Sequence, residues 1–226
     1  MSSSCCNCAC SSIGKKAVMA LTGLVLVGFI IGHLSGNLLY FKGPKAINDY
    51  AQWLHEHAAL IWGARTVLLL SVGLHIWAGI SLALENRAAR AGGPEVAATR
   101  RASLASLTMP YTGVVVLGFI VFHLLHYTLR SVVLTPEVVS LAAAGDVHQM
   151  LVAGFRNPWV SGFYIVSVAL LCLHLSHGVS SMFQTLGLRN ERWRGRLDAA
   201  AVAFGWVVFL GFASIPAAIL GGCITK

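Results

Sequence analysis

The stretch A-V-M-A-L-T-G-L-V-L-V-G-F-I-I-G-H-L-S-G-N-L-L-Y-F, residues 17–41, contains no Asp, Glu, Lys or Arg and a single histidine, His33. A helix needs about 20 apolar residues to cross the hydrocarbon layer of a membrane. Lys15 and Lys16 precede the stretch like the basic start of a signal peptide. The stretch is longer than a secretory apolar region and has no small-residue cleavage site, so we expect a retained first membrane helix.

Apolar blocks of this kind recur along the chain. It has 226 residues, of which 57% are hydrophobic and only 11% are charged, too few charges for the surface of a soluble domain. The pattern predicts an all-α integral membrane bundle of five transmembrane helices in a single domain that covers residues 17–226, with residues 1–16 as a tail. The predicted helices are about 17–41, 58–84, 109–134, 158–186 and 198–222.

The tail carries a group of four cysteines, Cys5, Cys6, Cys8 and Cys10. Their C-C-x-C-x-C spacing fits no common zinc or iron–sulfur motif. We therefore expect a small polar tail and assign the cysteines no role.

Basic residues cluster beside the apolar blocks, and this explains the net charge of +8 without a nucleic-acid partner. Positive residues favour the cytoplasmic side of a membrane. We therefore predict a cytoplasmic amino terminus for this multi-pass protein. The ten basic residues on that side are Lys15, Lys16, Arg87, Arg90, Arg100, Arg101, Arg189, Arg192, Arg194 and Arg196.

Six histidines lie inside the apolar blocks, where a polar side chain is costly and needs a partner or a function. At 1.5 Å of rise per residue, His33 and His123 lie in the outer half of the membrane. His75 and His174, on helices that run inward, lie in the inner half. These four histidines therefore form two level pairs on four different helices.

Two level pairs of imidazoles suit two haems of the b type, which need axial nitrogen ligands from opposite faces and no covalent attachment. We expect four of the five helices to surround the two haems. No C-x-x-C-H motif for covalent attachment occurs. His126 and His177 follow His123 and His174 by three residues, so depth alone leaves either member of each couple as the ligand.

Four segments carry a resemblance to a known family. They are T-G-L-V-L-V-G-F-I-I-G-H-L-S-G-N-L at 22–38, G-L-H-I-W-A-G-I at 73–80, T-G-V-V-V-L-G-F-I-V-F-H at 112–123 and G-F-Y-I-V-S-V-A-L-L-C-L-H-L-S-H-G at 162–178. In this order and spacing the chain resembles the cytochrome b subunit of succinate dehydrogenases and fumarate reductases, of the type with one five-helix anchor and two haems.

The resemblance implies that His33 and His123 ligate the outer haem, and His75 and His174 the inner haem. It also implies a bacterial inner membrane, flavoprotein and iron–sulfur subunits on the cytoplasmic face, and a quinone substrate, usually menaquinone. No succinate chemistry would take place on this chain itself.

One residue departs from the family pattern. Some fumarate reductases of this type carry a glutamate two residues before the ligand of the fourth helix, tied to proton movement across the membrane. Cys172 stands there in this chain, and a thiol is a poor proton carrier at neutral pH. The departure favours succinate oxidation over fumarate reduction.

Further candidate residues follow from position along the helices. Contacts to a haem propionate, or to a side chain that ligates the iron, are predicted for Lys15, Lys16, Asn37, Arg65, His126, Arg130 and His177, although interfacial charge explains the basic ones equally well. The run His55-Glu56-His57, just before the second membrane helix on the outer side, is a candidate proton donor for a quinone. A solvated loop is the alternative.

Two other functions remain open at this stage. One is a di-haem cytochrome b that serves another dehydrogenase or a hydrogenase. The other is a haem-free transporter with a histidine proton relay, which should have acidic residues at mid-membrane depth. Only Glu85, near the inner end of its helix, is acidic within the first four apolar blocks.

Overall fold

The computed structural model describes residues 11–90 and 104–223. The predicted cysteine tail with Cys5–Cys10, and the basic residues Arg100 and Arg101, lie outside the described residues.

In this described part the chain is all-helical, with no strand. The helices are α1 (Ser12–Asn37), α2 (Pro44–Glu56), α3 (Ala58–Arg90), α4 (Leu104–His123), α5 (Pro136–Ala143), α6 (Val147–Phe155), α7 (Pro158–Thr185) and α8 (Arg194–Leu220). A 3-10 turn, Leu38–Lys42, follows α1, and a π-helical turn, Leu124–Thr128, follows α4.

Five of these helices, α1, α3, α4, α7 and α8, are long and apolar enough to cross a membrane, which confirms the helical class and the five predicted segments. Their outward faces expose large apolar side chains; Leu69 is 75% and Val114 is 71% exposed. Because such contiguous apolar surface is rare on soluble monomers, lipid is the solvent that these faces fit.

Several ends of the membrane helices differ from the sequence-based bounds; α3, for example, continues to Arg90, beyond residue 84. α1 begins at Ser12, where the Ser11 hydroxyl caps the helix by accepting the Gly14 N–H at 3.1 Å, so Lys15 and Lys16 belong to the helix and not to the tail. α8 begins at Arg194, earlier than residue 198.

The third membrane helix ends earlier than predicted. Helical structure stops at Thr128, whereas the apolar pattern continued to residue 134. Arg130 and Val133 have φ angles of 55° and 71°, a left-handed conformation that interrupts a right-handed helix. The predicted bounds 109–134 are therefore wrong at the carboxyl end.

Three short helices, α2, α5 and α6, were not predicted, and they gather at one end of the bundle. We call this the outer end, following the predicted orientation; α1 ends there and α7 begins there. Tyr40, Ile47 and Phe155 are buried in the core that joins α6 to the membrane helices.

The fifth membrane helix packs beside the four that carry histidines. α8 contacts α7 chiefly and α1 to a smaller extent, while α1 packs on α3 and α7, and α4 packs on α7. A Cβ added to Gly205 of α8 would lie 2.9 Å from the Cys172 carbonyl oxygen of α7. Only a glycine permits so close an approach of the two backbones.

At the inner end, an ion pair links the connection that follows α7 to the first turns of α8. Both carboxylate oxygens of Asp198 accept from Arg189, from Nε at 3.0 Å and from Nη2 at 2.8 Å. The Ser180 hydroxyl donates to the same carboxylate at 2.5 Å. These bonds to Asp198 raise the pKa of Arg189, so the guanidinium stays charged and fixes the inner ends of the two helices.

Candidate functional site

The outer pair consists of His33 on α1 and His123 on α4. Their ring centroids lie 5.8 Å apart, and the ring planes make an angle of 81°. Phe29, one turn before His33, stacks on its ring at 5.2 Å. The ring of Phe212, on α8, lies 5.7 Å from the His33 ring.

The inner pair consists of His75 on α3 and His174 on α7. Their ring centroids lie 6.4 Å apart, with an angle of 60° between the planes. The structure thus brings together the same two pairs that depth along the helices predicted.

The spacing of both pairs fits two axial ligands of one metal ion. Two imidazoles that bind one ion from opposite sides, each through a bond of about 2 Å, hold their ring centroids roughly 6 Å apart. No three His, Cys, Asp or Glu side chains gather into one site within residues 11–90 and 104–223. An all-protein zinc site needs three or four ligands, whereas a haem needs only two, because its porphyrin supplies the other four.

Both inner histidines are hydrogen-bonded to threonines of neighbouring helices. Nδ1 of His75 lies 3.2 Å from the Thr22 hydroxyl of α1, and Nδ1 of His174 lies 3.3 Å from the Thr112 hydroxyl of α4. Since Thr22 precedes His33 by 11 residues, the two histidine levels are about 16 Å apart along the helix axis. Thr112 precedes His123 by the same number.

The outer ligand candidates have different neighbours. Nδ1 of His123 lies 3.4 Å from the Tyr164 hydroxyl, which also lies 3.0 Å from Nδ1 of His126. The Asn37 amide nitrogen donates to the backbone carbonyl of His33 at 2.7 Å and lies 3.4 Å from its Nδ1.

Contacts now separate the histidine candidates that share a helix face. His126 is fully buried, and its Nε2 would lie 2.9 Å from a Cβ added to Gly154 of α6. His177 Nε2 lies 3.1 Å from the Ser181 hydroxyl of its own helix. Neither faces a second histidine across the bundle, whereas the rings of His123 and His174 do and are only partly covered by protein.

The predicted propionate contacts occupy varied positions. Lys15 forms an ion pair with Glu85, which also accepts from the Ser12 hydroxyl. Lys16 is exposed. Arg65 is exposed and lies over the Trp62 ring at 4.9 Å. Arg130, just beyond α4, has a buried Nε without a hydrogen-bond partner in the described part of the chain.

The quinone candidates form the exposed end of α2 and the junction to α3. His55 and His57 each hydrogen-bond through Nδ1 to a backbone carbonyl one turn earlier, at 2.7 Å and 2.8 Å. Glu56 accepts from Gln52 at 2.9 Å. All three side chains are exposed at the surface of the outer end.

Sequence reasoning missed Thr22 and Thr112, although a signal for them exists. Residues 22–33 and 112–123 read T-G-L-V-L-V-G-F-I-I-G-H and T-G-V-V-V-L-G-F-I-V-F-H, with seven of twelve positions identical. This internal repeat places a threonine at the inner level and a histidine at the outer level of both α1 and α4. Tyr164, which joins His123 to His126, carried no comparable pattern.

No family model, no curated protein and no solved structure matches this chain. The features that bear on function are the histidine pairs, their surroundings and the motifs of the sequence.

Proposed function

We propose that this chain is the di-haem cytochrome b anchor of a bacterial succinate:quinone oxidoreductase, working in succinate oxidation rather than fumarate reduction. The observation that carries the proposal is the pair of imidazole couples, His33 with His123 and His75 with His174, at centroid separations of 5.8 Å and 6.4 Å. Four membrane helices supply one ligand each, so neither site depends on neighbouring residues of a single helix.

In this proposal His33 and His123 hold the outer haem b, and His75 and His174 hold the inner one. When bound, the two haems supply one-electron transfer across the membrane, between an iron–sulfur subunit on the cytoplasmic side and the quinone. The protein residues orient the ligands and keep water from the two levels with apolar helix faces.

The outer end supplies the proposed quinone chemistry. Quinone reduction takes up two protons, so the head group needs a donor or relay at its side. His55, Glu56 and His57 are exposed there and can exchange protons with water, which suits menaquinone reduction close to the outer pair.

The inner end supplies the proposed docking surface for the flavoprotein and iron–sulfur subunits. Arg192, Arg194 and Arg196 are exposed in and after the connection between α7 and α8. A cluster of exposed guanidinium groups favours a partner surface with carboxylates, and the predicted orientation puts it on the cytoplasmic side.

A spectrum tests the haem part directly. The purified full-length chain, reduced with dithionite, should show b-type bands in the reduced-minus-oxidised spectrum. Pyridine haemochrome analysis should give two haems per chain. A folded preparation from haem-replete cells that contains no haem would refute the proposal and return attention to the transporter alternative.

Co-purification tests the finer assignment. A tagged chain isolated from its native membrane in mild detergent should bring a flavoprotein and an iron–sulfur protein with it, and succinate should reduce its haems. Haems that respond to another substrate, such as hydrogen, would instead support the cytochrome b of a different dehydrogenase or a hydrogenase.

The transporter alternative is disfavoured by the position of Glu85. This carboxylate is held by Lys15 and Ser12 at the inner end of the bundle. A proton relay needs its acidic group inside the membrane and free to release a proton, and Glu85 meets neither requirement.

A further inference from the structure

The two inner histidines share a feature that the outer ones lack: a threonine of the neighbouring helix on the ring nitrogen Nδ1. Thr22 reaches His75 from α1 at 3.2 Å, and Thr112 reaches His174 from α4 at 3.3 Å. Both threonines are buried, at 8% and 4% exposure. The two contacts lie on different helix pairs and repeat the same arrangement.

The helix backbone fixes the direction of these bonds. A threonine hydroxyl has one proton to donate and two lone pairs to accept with. The Thr22 hydroxyl lies 2.7 Å from the Val18 carbonyl, and the Thr112 hydroxyl lies 3.1 Å from the Thr108 and Met109 carbonyls. Because carbonyls can only accept, the hydroxyl proton goes to the helix and its oxygen is left as an acceptor for the imidazole.

The consequence is a defined tautomer in both inner histidines. If the threonine oxygen accepts, Nδ1 carries the ring proton, and Nε2 keeps the lone pair that a metal ligand needs. A partner on the far nitrogen also fixes the ring orientation and makes the imidazole a stronger donor to a metal.

The outer pair lacks an equivalent acceptor. Within the described residues, the side chain that meets Nδ1 of His33 in hydrogen-bond range is Asn37, through its amide nitrogen at 3.4 Å, which carries donors only. The Tyr164 hydroxyl near His123 is shared with His126, which it approaches more closely. A threonine partner is thus specific to the inner level.

We propose that Thr22 and Thr112 are positioning residues of the inner haem, which fix the tautomer and donor strength of His75 and His174 through Nδ1. This inference rests on the proposed function, because it assumes that the inner pair binds haem. A stronger donor ligand stabilises ferric iron, so each threonine lowers the reduction potential of the inner haem, and its removal raises that potential.

Each threonine is the hydrogen-bonding side chain at its own histidine. In the described part of the chain, Thr112 is the sole hydrogen-bond partner of the His174 ring, and the Thr22 hydroxyl bonds Nδ1 of His75. Thr112→Val and Thr22→Val should therefore each weaken the imidazole as a donor at the inner level.

The experiment is a redox titration of the haem spectrum in the full-length protein carrying Thr112→Val or Thr22→Val. Valine matches the shape of threonine and removes only the hydroxyl. Thr112→Ser and Thr22→Ser keep the acceptor and should restore the wild-type titration. Thr66→Val is the matched control, because Thr66 also donates to its own helix, to Trp62 at 2.9 Å.

In Thr112→Val we expect the reduction equilibrium of one haem to shift by at least about threefold, while that of the other haem stays unchanged. That shift is about 30 mV upward at 59 mV per tenfold for one electron. Selective loss of the inner haem, restored by serine, supports the same role. The proposal would be overturned if Thr112→Val kept two haems with unchanged reduction potentials, or if the potentials of both haems shifted equally. An equal shift of potential in Thr66→Val would overturn it as well. A wild-type chain without haem would instead refute the proposed function.

Discussion

The imidazole rings of His33 and His123 face each other with centroids 5.8 Å apart, although 90 residues separate the two histidines in the sequence. Their separation matches two ligands of one iron, and it is nearly repeated at 6.4 Å by His75 and His174. The arrangement makes the pairing itself testable, independently of total haem content.

Alanine substitutions of the four histidines should fall into two classes. His33→Ala and His123→Ala should each lose the outer haem, while His75→Ala and His174→Ala should each lose the inner one. In a low-temperature difference spectrum, the two outer-pair variants should show the same band from the haem that remains. The two inner-pair variants should share a different band.

Double substitutions sharpen this test. The His33→Ala, His123→Ala double variant should keep one haem, like its single parents, whereas His33→Ala with His75→Ala should keep none. The pairing would be disproved if the His33→Ala, His123→Ala variant lost both haems, or if His33→Ala combined with His75→Ala kept one. His55→Ala, an exposed histidine on α2, is the control and should keep both haems.

Gly205 should control the attachment of α8 to α7. A Cβ at this position would lie 2.7 Å from the Ser176 hydroxyl and 2.9 Å from the Cys172 carbonyl, and the carbonyl cannot move without shifting the helix. Gly205→Val should therefore destabilise the protein by about 1–3 kcal/mol, the usual cost of overpacking. Thermal unfolding in detergent measures it.

The matched control for Gly205 is Gly162→Ala on α7, where an added Cβ would meet no atom within 4 Å. Alanine favours the helix over glycine by about 1 kcal/mol, so this variant should be as stable as the wild type or more so. Equal losses of stability in both variants would show that the close contact at Gly205 is not limiting.

His148 should make the outer end sensitive to acid. Burial lowers the pKa of His148, although the charge of Asp146 opposes the shift. His148 is 2% exposed, and its ring stacks on that of Tyr40 with the centroids 5.1 Å apart. Because the pKa is lower in the folded state, protonation favours unfolding, so the contribution of neutral His148 is complete above its unfolded pKa of about 6.5 and is lost as the pH falls below it.

His148→Phe should remove this acid sensitivity and keep the stacking on Tyr40. The melting temperature should then fall less between pH 8 and pH 5 than it does in the wild type, and at pH 8 it should be unchanged or higher. His55→Phe is the control for an exposed histidine of the same end. Identical pH profiles of His148→Phe and the wild type would contradict the assignment.

The membrane helices and the levels of the histidines could be predicted because lipid imposes length and composition directly. A run such as residues 17–41 has no other stable solution in a bilayer, and the rise per residue then fixes the depth of His33. The same reasoning placed the helix end too far along the chain, over residues 129–134, because apolar composition does not distinguish a helix from an irregular backbone, which Arg130 and Val133 adopt here.

Depth along the helix could not choose between His123 and His126, since residues three apart share a helix face; only the family resemblance favoured His123. The difference lies in residues distant in sequence: Gly154 of α6 covers the Nε2 side of His126, and α6 itself was not predicted. Thr22 and Thr112 escaped notice for another reason. A threonine whose hydroxyl bonds a backbone carbonyl of its own helix is common in membrane helices. What distinguishes Thr22 and Thr112 is only that each precedes a histidine of its own helix by the same number of residues.

The run His55-Glu56-His57 gives the last prediction, which concerns the quinone. These side chains are exposed at the outer end and bonded within α2 and to its last turn, so replacing them should disturb neither the fold nor the haems. If they deliver protons to the quinone, Glu56→Gln and His57→Gln should lower kcat/KM for a soluble quinone by at least about tenfold, while both haem potentials stay unchanged. Asp49→Asn is the matched control, because Asp49 is an exposed carboxylate of the same helix, paired with Lys45 at 2.5 Å. Wild-type quinone kinetics in both Glu56→Gln and His57→Gln would exclude this run as the proton donor and direct the search to the buried polar groups around His126 and Arg130.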